Sequence, residues 1–158
     1  MLRTMVAAVG LVGLVSVAGF SGNAMASPKD QMNRAFSENV TGAHIGGTGH
    51  SFENAYSVTS TLDGTGAGIE EGSITGTSSS ISGTSTLTDY FADGVQKLSE
   101  TFTVGAPNAN SISALTGNGR CVGGTGVYKM QKCSYTFTGT DNEKTAVYTL
   151  KLTGAYTH

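Results

Sequence analysis

Two acidic residues, Asp89 and Glu100, flank a turn signal in a way that could place both carboxyl groups in an apolar setting. Asp93-Gly94 is a strong two-residue hairpin turn. A turn there pairs Ala92 with Val95, so that Asp89 faces Leu98 and Glu100 faces Leu87. Residues opposite each other on a ladder share one side of the sheet. Both acids then lie on the face that carries Ile81, Leu87, Phe91, Leu98, Phe102 and Val104, as diagonal neighbours ~7–8 Å apart at Cα. Loss of water and mutual repulsion both raise a carboxylic pKa, which suits a general acid or a polar ligand anchor. The plainer reading sets them at a wet rim, or beside a neutralising Lys or Arg. Tyr56, Phe102, Tyr135, Phe137 and Tyr148 are the aromatic residues expected to line a ligand site with them.

Other chemistry is weaker. His44 and His50 bracket a Gly-Gly-Thr-Gly run with Glu53 beyond. A metal site wants three or four converging ligands, and these two are read as surface residues, so no metal and no cofactor is expected. His158 is terminal and expected to be disordered. Serines are abundant and histidines few, so no Ser-His-Asp set can be argued. Asn39-Val40-Thr41 matches a glycosylation sequon, which a bacterial-looking leader makes irrelevant.

That leader is residues 1–26. Arg3 supplies the positive end, Met5 to Val17 is uncharged and apolar, and Ala24-Met25-Ala26 offers a small-x-small cleavage pattern before Ser27. The apolar run is shorter than the ~20 residues of a membrane span, and no cysteine near the cut invites a lipid. The expectation is an exported protein, periplasmic or secreted, with no membrane span once the leader is removed. In an oxidising compartment Cys121 and Cys133, the two cysteines of the chain, are expected to pair as a disulfide.

The elements that must position these residues are strands. The chain has 158 residues, 23 of them Gly, and only 13% are charged, with a net charge of -2. No basic surface points to nucleic acid, and no Ala/Leu/Glu/Lys richness points to a helical bundle. After a flexible lead-in over 27–34, short β-branched and aromatic runs alternate with Gly, Asn and Asp. They predict eight strands, near 35–44, 50–62, 67–77, 79–92, 95–104, 111–117, 133–140 and 144–156. A second hairpin, turning at Asp141-Asn142-Glu143-Lys144, sets Tyr135 opposite Leu150, Phe137 opposite Tyr148 and Cys133 opposite Leu152. Both hairpins bring apolar faces together, which implies an antiparallel sheet with one buried side. The expected fold is all-β: a single domain over 35–158, built as a small antiparallel eight-stranded barrel. A two-sheet β-sandwich is the competing architecture. The Ser/Thr faces are too polar for the lipid-facing band of an outer-membrane barrel.

Gly123-Gly124-Thr125-Gly126-Val127-Tyr128-Lys129-Met130 is the most distinctive stretch. It resembles the GGTG-x-[FY] motif of dirigent proteins and of bacterial proteins with the allene oxide cyclase-like barrel. Gly119-Arg120-Cys121-Val122 is similar to the bacterial version. The resemblance is clear over residues 111 to 156, and Cys133 departs from it, standing where the family usually has glycine. It implies a barrel in which the motif lies between two strands and a last strand pair closes the chain. The catalytic acids and arginine of the plant proteins do not align, so no chemistry is carried over. Physically, the glycines would let the chain cross one barrel end while Val127, Tyr128 and Met130 plug it. Phosphate binding is disfavoured, because no Gly-Lys-Ser/Thr and no helix follows. Gly-Gly-Thr-Gly recurs at 46–49, which reads equally as a duplication remnant or as biased composition.

Three functions follow. The first is a barrel that binds a small apolar or phenolic ligand. The second is a cofactor-independent cyclase or isomerase, or a dirigent-like protein, steering a reactive intermediate. The third is a structural or surface-interaction protein with a solid barrel. A homo-oligomer is compatible with each.

Overall fold

The computed structural model describes residues 34–77 and 79–157. The expected leader, most of the lead-in and His158 lie outside the described residues.

Eight strands follow one another around a closed barrel: β1 Ala35–Gly46, β2 Ser51–Ser60, β3 Gly64–Thr77, β4 Ser80–Phe91, β5 Gly94–Gly105, β6 Ile112–Gly124, β7 Lys132–Asn142 and β8 Val147–Thr157. Each strand pairs antiparallel with its chain neighbours, and β8 closes on β1. Closure leaves no exposed edge, a stable answer for a chain so rich in Thr and Gly. The sandwich alternative is excluded by the β1–β8 ladder.

Alternation decides the two surfaces. On β1 the even positions Phe36, Glu38 and Val40 are buried, and on β4 the odd positions Ser85, Leu87, Asp89 and Phe91 are. Thr and Ser take many outward places, such as Thr84, Thr101, Thr136 and Thr153. Inside, large rings lie over glycines on the neighbouring strand. Gly68 pairs with Tyr56, and a Cβ there would stand 2.2 Å from the ring's Cζ. Gly119 pairs with Tyr135 under the same constraint. The missing side chains create the volume that the rings fill, which a barrel this narrow needs.

Both hairpin registers differ from expectation. Across β4–β5, Phe91 pairs with Gly94, Tyr90 with Val95, Asp89 with Gln96 and Ser85 with Glu100. The turn residues are Ala92 and Asp93, and Gly94 opens β5. Gly94 is needed there because its φ is 147° and a Cβ would meet the Thr125 carbonyl at 2.4 Å. Across β7–β8, Asn142 pairs with Val147, so Tyr135 faces Gly154, Phe137 faces Leu152 and Cys133 faces Tyr156. The Asn142 side chain caps the longer turn by accepting hydrogen bonds from the backbone N–H groups of Lys144 (3.0 Å) and Thr145 (3.4 Å). In both hairpins the shift is an even number of residues, so every side chain keeps its face.

β6 runs on to Gly124, well past the expected end at 117. Its last residues reach Cys121, whose bond to Cys133 ties β6 to β7 with Cα atoms 4.9 Å apart. The glycine motif then leaves the ladder, and a 3-10 turn at Gly126–Tyr128 crosses the barrel end. Tyr128 is the plug: it is 1% exposed, packs on Phe91 at 5.8 Å, and donates to Asp63 Oδ1 at 3.0 Å. Val127 packs partly against the core. Met130 does not plug anything. It is 82% exposed, because the chain has already turned away from the axis when it reaches that residue.

Candidate functional site

The plugged end holds Phe36, Phe91, Tyr128 and Tyr156. The opposite end is framed by the β1–β2 turn, the starts of β4, β6 and β8, and the residues His44 and Phe52. Between these ends the barrel interior is an array of carboxyl groups and phenols.

Asp89 and Glu100 both point inward and are 2% and 3% exposed. They are not diagonal neighbours. Ser85, the ladder partner of Glu100, lies four residues from Asp89, about 13 Å along the strand at ~3.3 Å per residue. The gap is bridged by an acid the sequence reading missed. Glu70 on β3 pairs with Leu87, midway between Asp89 and Ser85, and is also buried. A fourth buried acid, Glu38 on β1, faces Ser60 and Leu152. The buried residues include no lysine or arginine among the described residues, so none of the four has a cationic partner in the core.

Phenols take that place. Tyr56 donates a hydrogen bond to Asp89 Oδ1. Tyr135 donates to Glu100 Oε1 at 2.7 Å. Tyr148 donates to Glu70 Oε2 at 3.3 Å, and Asn54 Nδ2 donates to the same oxygen at 2.8 Å. At the plugged end Tyr156 donates to Asp63 Oδ2 at 2.7 Å, and Ser60 reaches the same oxygen at 3.0 Å. Three of the five expected ligand-lining residues, Tyr56, Tyr135 and Tyr148, are thus committed to acids. Phe137 is buried beside Tyr135, with centroids 6.5 Å apart, and Phe102 is only partly buried, edge-on to Phe52 at 5.7 Å.

Burial pushes Glu100 up to about 8, and the negative charge of Glu70 pushes in the same direction, against the hydrogen bond from Tyr135. Burial likewise pushes Glu38 up to about 8, helped by Asp89 and then Asp63. Asp89 rises to about 7, first by burial, with Tyr56 opposing and Asp63 and Glu70 adding to the rise. The phenols of Tyr56, Tyr135 and Tyr148 are driven up too, by burial first and then by neighbouring acids, so they remain donors. At neutral pH Glu38 and Glu100 therefore hold their protons and Asp89 is about half protonated, with burial the leading cause for each. Glu38 Oε1 and Ser85 Oγ are buried with no hydrogen-bond partner. Such orphans are costly.

His44 and His50 do not converge. His44 bonds Asn54 and Asp141, while His50 and Glu53 lie in and after the β1–β2 turn. Among the described residues no group of three or more His, Cys, Asp or Glu is placed to hold a metal ion. Nor is any helix among them long and apolar enough to cross a membrane. A concavity of about 630 Å³ lies on the outer wall of β4–β7, over Ser82, Thr101, Thr116 and Thr136. Phe102 and Phe137 also line it, and Thr101 is the chain neighbour of Glu100.

Of the missed residues, Glu38 had a signal, since Phe36 and Val40 flank it in period two. Glu70 had none. Its inward neighbours are Gly68 and Gly72, which leave no apolar trace, and the apolar residue beside it, Ile69, points outward.

No protein-family description, curated protein or solved structure matches this chain.

Proposed function

We propose that the barrel interior is a proton-donating chamber that binds a small, mostly apolar or phenolic ligand through an oxygen atom. The observation that carries this reading is the burial of Glu38, Glu70, Asp89 and Glu100 without a cation. A core that served only stability would gain by replacing such acids with apolar residues. Groups held so far from their ordinary behaviour are characteristic of sites that handle ligands or protons. Glu100, pushed up to about 8, carries its proton at neutral pH, Asp89, pushed up to about 7, carries one about half the time, and either would donate to a carbonyl, ether or phenolate oxygen. Phe52 and Phe102 stand at the end without the plug, over Gly72 and Gly83, and are only partly buried. Their outward swing would admit a ligand.

The same chamber suits a cofactor-independent cyclase or isomerase, in which the wall orients a reactive intermediate and one acid moves a proton. The likeness of Gly123 to Tyr128 to allene oxide cyclase-like and dirigent-like barrels is in keeping with the barrel and carries no chemistry, and the leader-like residues 1–26 are in keeping with export. The solid-barrel reading draws on one observation, that the interior is already filled by the chain's own rings.

Mass spectrometry of small molecules that co-purify with the wild-type chain and with Glu100→Gln separates these readings. A compound retained by the wild type and depleted at least tenfold in the variant supports the chamber. Retention unchanged by the variant, or no compound in either, overturns it and leaves a solid barrel.

A further inference from the structure

The end without the plug carries a chain of hydrogen bonds that the proposed chamber leaves unused. Asp141 on β7, His44 on β1, Asn54 on β2 and Glu70 on β3 form one line from the surface to the core. His44 Nε2 lies 3.3 Å from Asp141 Oδ1, His44 Nδ1 lies 2.6 Å from Asn54 Oδ1, and Asn54 Nδ2 lies 2.8 Å from Glu70 Oε2. His44 is about 40% exposed at its side chain and Asn54 is 3% exposed, so the line passes from solvent to the dry wall within two residues.

The direction of each bond follows from the chemistry of the groups. Asn54 turns its amide nitrogen to Glu70 Oε2 and its oxygen to His44 Nδ1. That oxygen can only accept, so His44 must carry a proton on Nδ1. Asp141 likewise calls for a proton on Nε2. Both demands are met together when His44 is an imidazolium. A reversed amide would set Asn54 Oδ1 against Glu70 and Nδ2–H against the ring proton.

The backbone is shaped for this. The β1–β2 ladder is irregular between His44 and Gly46, and bulges of this kind re-aim side chains next to functional sites. The His44 backbone N–H is tied to the Ala146 carbonyl at 3.0 Å, which fixes the residue against the β7–β8 turn. Tyr148, which shares Glu70 Oε2 with Asn54, lies tilted beside the His44 ring with centroids 6.0 Å apart. Its ring occupies the space that Gly42 leaves, where a Cβ would stand 2.3 Å from it.

We propose that Asp141, His44 and Asn54 are positioning residues that hold Glu70 as the hydrogen-bond acceptor of the chamber, opposite the proton-bearing acids, and that the charged form of His44 completes the line. This deepens the chamber reading and rests on it for its purpose, though its geometry can be tested without a ligand. The groups facing His44 are Asp141 from β7, Asn54 from β2 with Glu70 behind it on β3, and the Tyr148 ring from β8. The hydrogen bond to Asp141 raises the His44 pKa, burial opposes this, and the Asp141 charge, Asn54 and Glu70 raise it further.

The test is nitrogen-15 NMR of the His44 ring in the full chain with its disulfide intact, across pH 5 to 9, for the wild type, Asp141→Asn and Asn54→Leu. In the wild type the midpoint should lie above the ordinary ~6.5. The proton lost should come from Nε2, leaving the neutral ring protonated at Nδ1, because Asn54 offers no donor. Asp141→Asn, at the rim, should lower the midpoint and keep that tautomer. Asn54→Leu leaves Asp141 as the remaining partner of the ring, so the neutral form should move its proton to Nε2. A neutral ring protonated at Nε2 in the wild type, or a wild-type midpoint at or below 6.5, would overturn the relay. Asp141→Asn carries the test if Asn54→Leu does not fold. Loss of ligand retention in Glu100→Gln is a separate measurement, so the relay and the chamber fail independently.

Discussion

Replacing Glu100 with Gln should make the barrel more stable at neutral and mildly alkaline pH. Glu100 moves from an ordinary value of 4.5 to about 8 in the folded state. An acid whose pKa is raised by folding binds its proton more tightly in the native chain than in the unfolded one. Its contribution is fully present below about 4.5 and is lost as pH rises toward 8. Each pH unit in that window corresponds to ~1.36 kcal/mol. At pH 7 the loss from this one side chain is on the order of 3 kcal/mol, and at pH 8 on the order of 5 kcal/mol. Glutamine keeps the shape and can still accept the Tyr135 hydroxyl, but it has no proton to lose. Wild type and variant should therefore be close in stability near pH 4.5 and diverge as pH rises. Urea unfolding followed by tyrosine fluorescence between pH 4.5 and 8 measures this, with the stability of the wild type falling more steeply. Parallel pH curves for the two proteins would show that Glu100 is solvated in the native state, and the argument for a proton-bearing interior would fail with it.

Three further outcomes follow from packing and covalent structure. Gly68→Ala forces a Cβ to within 2.2 Å of Tyr56 Cζ, and should cost at least ~1–3 kcal/mol in urea unfolding while displacing the Tyr56 bond to Asp89. Tyr128→Ala empties the plug beside Phe91 and should cost about 3–5 kcal/mol, whereas Tyr128→Phe should lose only the ~1–2 kcal/mol tied to Asp63. Reduction of Cys121–Cys133, which are 12 residues apart, should lower stability by about 3 kcal/mol without opening the ladder, as calorimetry with and without reductant can record.

The legible part of this protein is local. Period-two alternation placed Asp89, Glu100 and Phe102 on the apolar face of one hairpin and Tyr135, Phe137 and Tyr148 on that of the other, and all six point into the barrel, as does Tyr56. Alternation is a property of each strand alone, because successive side chains of a pleated chain must point to opposite sides. The Cys121–Cys133 pair was legible too, because two cysteines twelve residues apart with no other Cys or His at ligand spacing are expected to meet each other if the chain is exported to an oxidising compartment.

Register and company were decided by the tertiary structure. Both hairpins slid by an even number of residues, a shift that facing parity does not detect. In the first hairpin the Thr125 carbonyl, from outside it, lies against Gly94, whereas the second turn is closed by its own Asn142 side chain. That slide separated Asp89 from Glu100 and let Glu70 come between them. Glu70 itself sits among inward glycines, which are silent in a hydrophobic pattern because their role is to leave room for rings on other strands. Closure of β8 onto β1 then brought Asp141, His44, Asn54 and Glu70 into one line from four strands. No spacing along the chain encodes such a meeting, because the distances that matter run around the barrel, and only the closed ladder determines them.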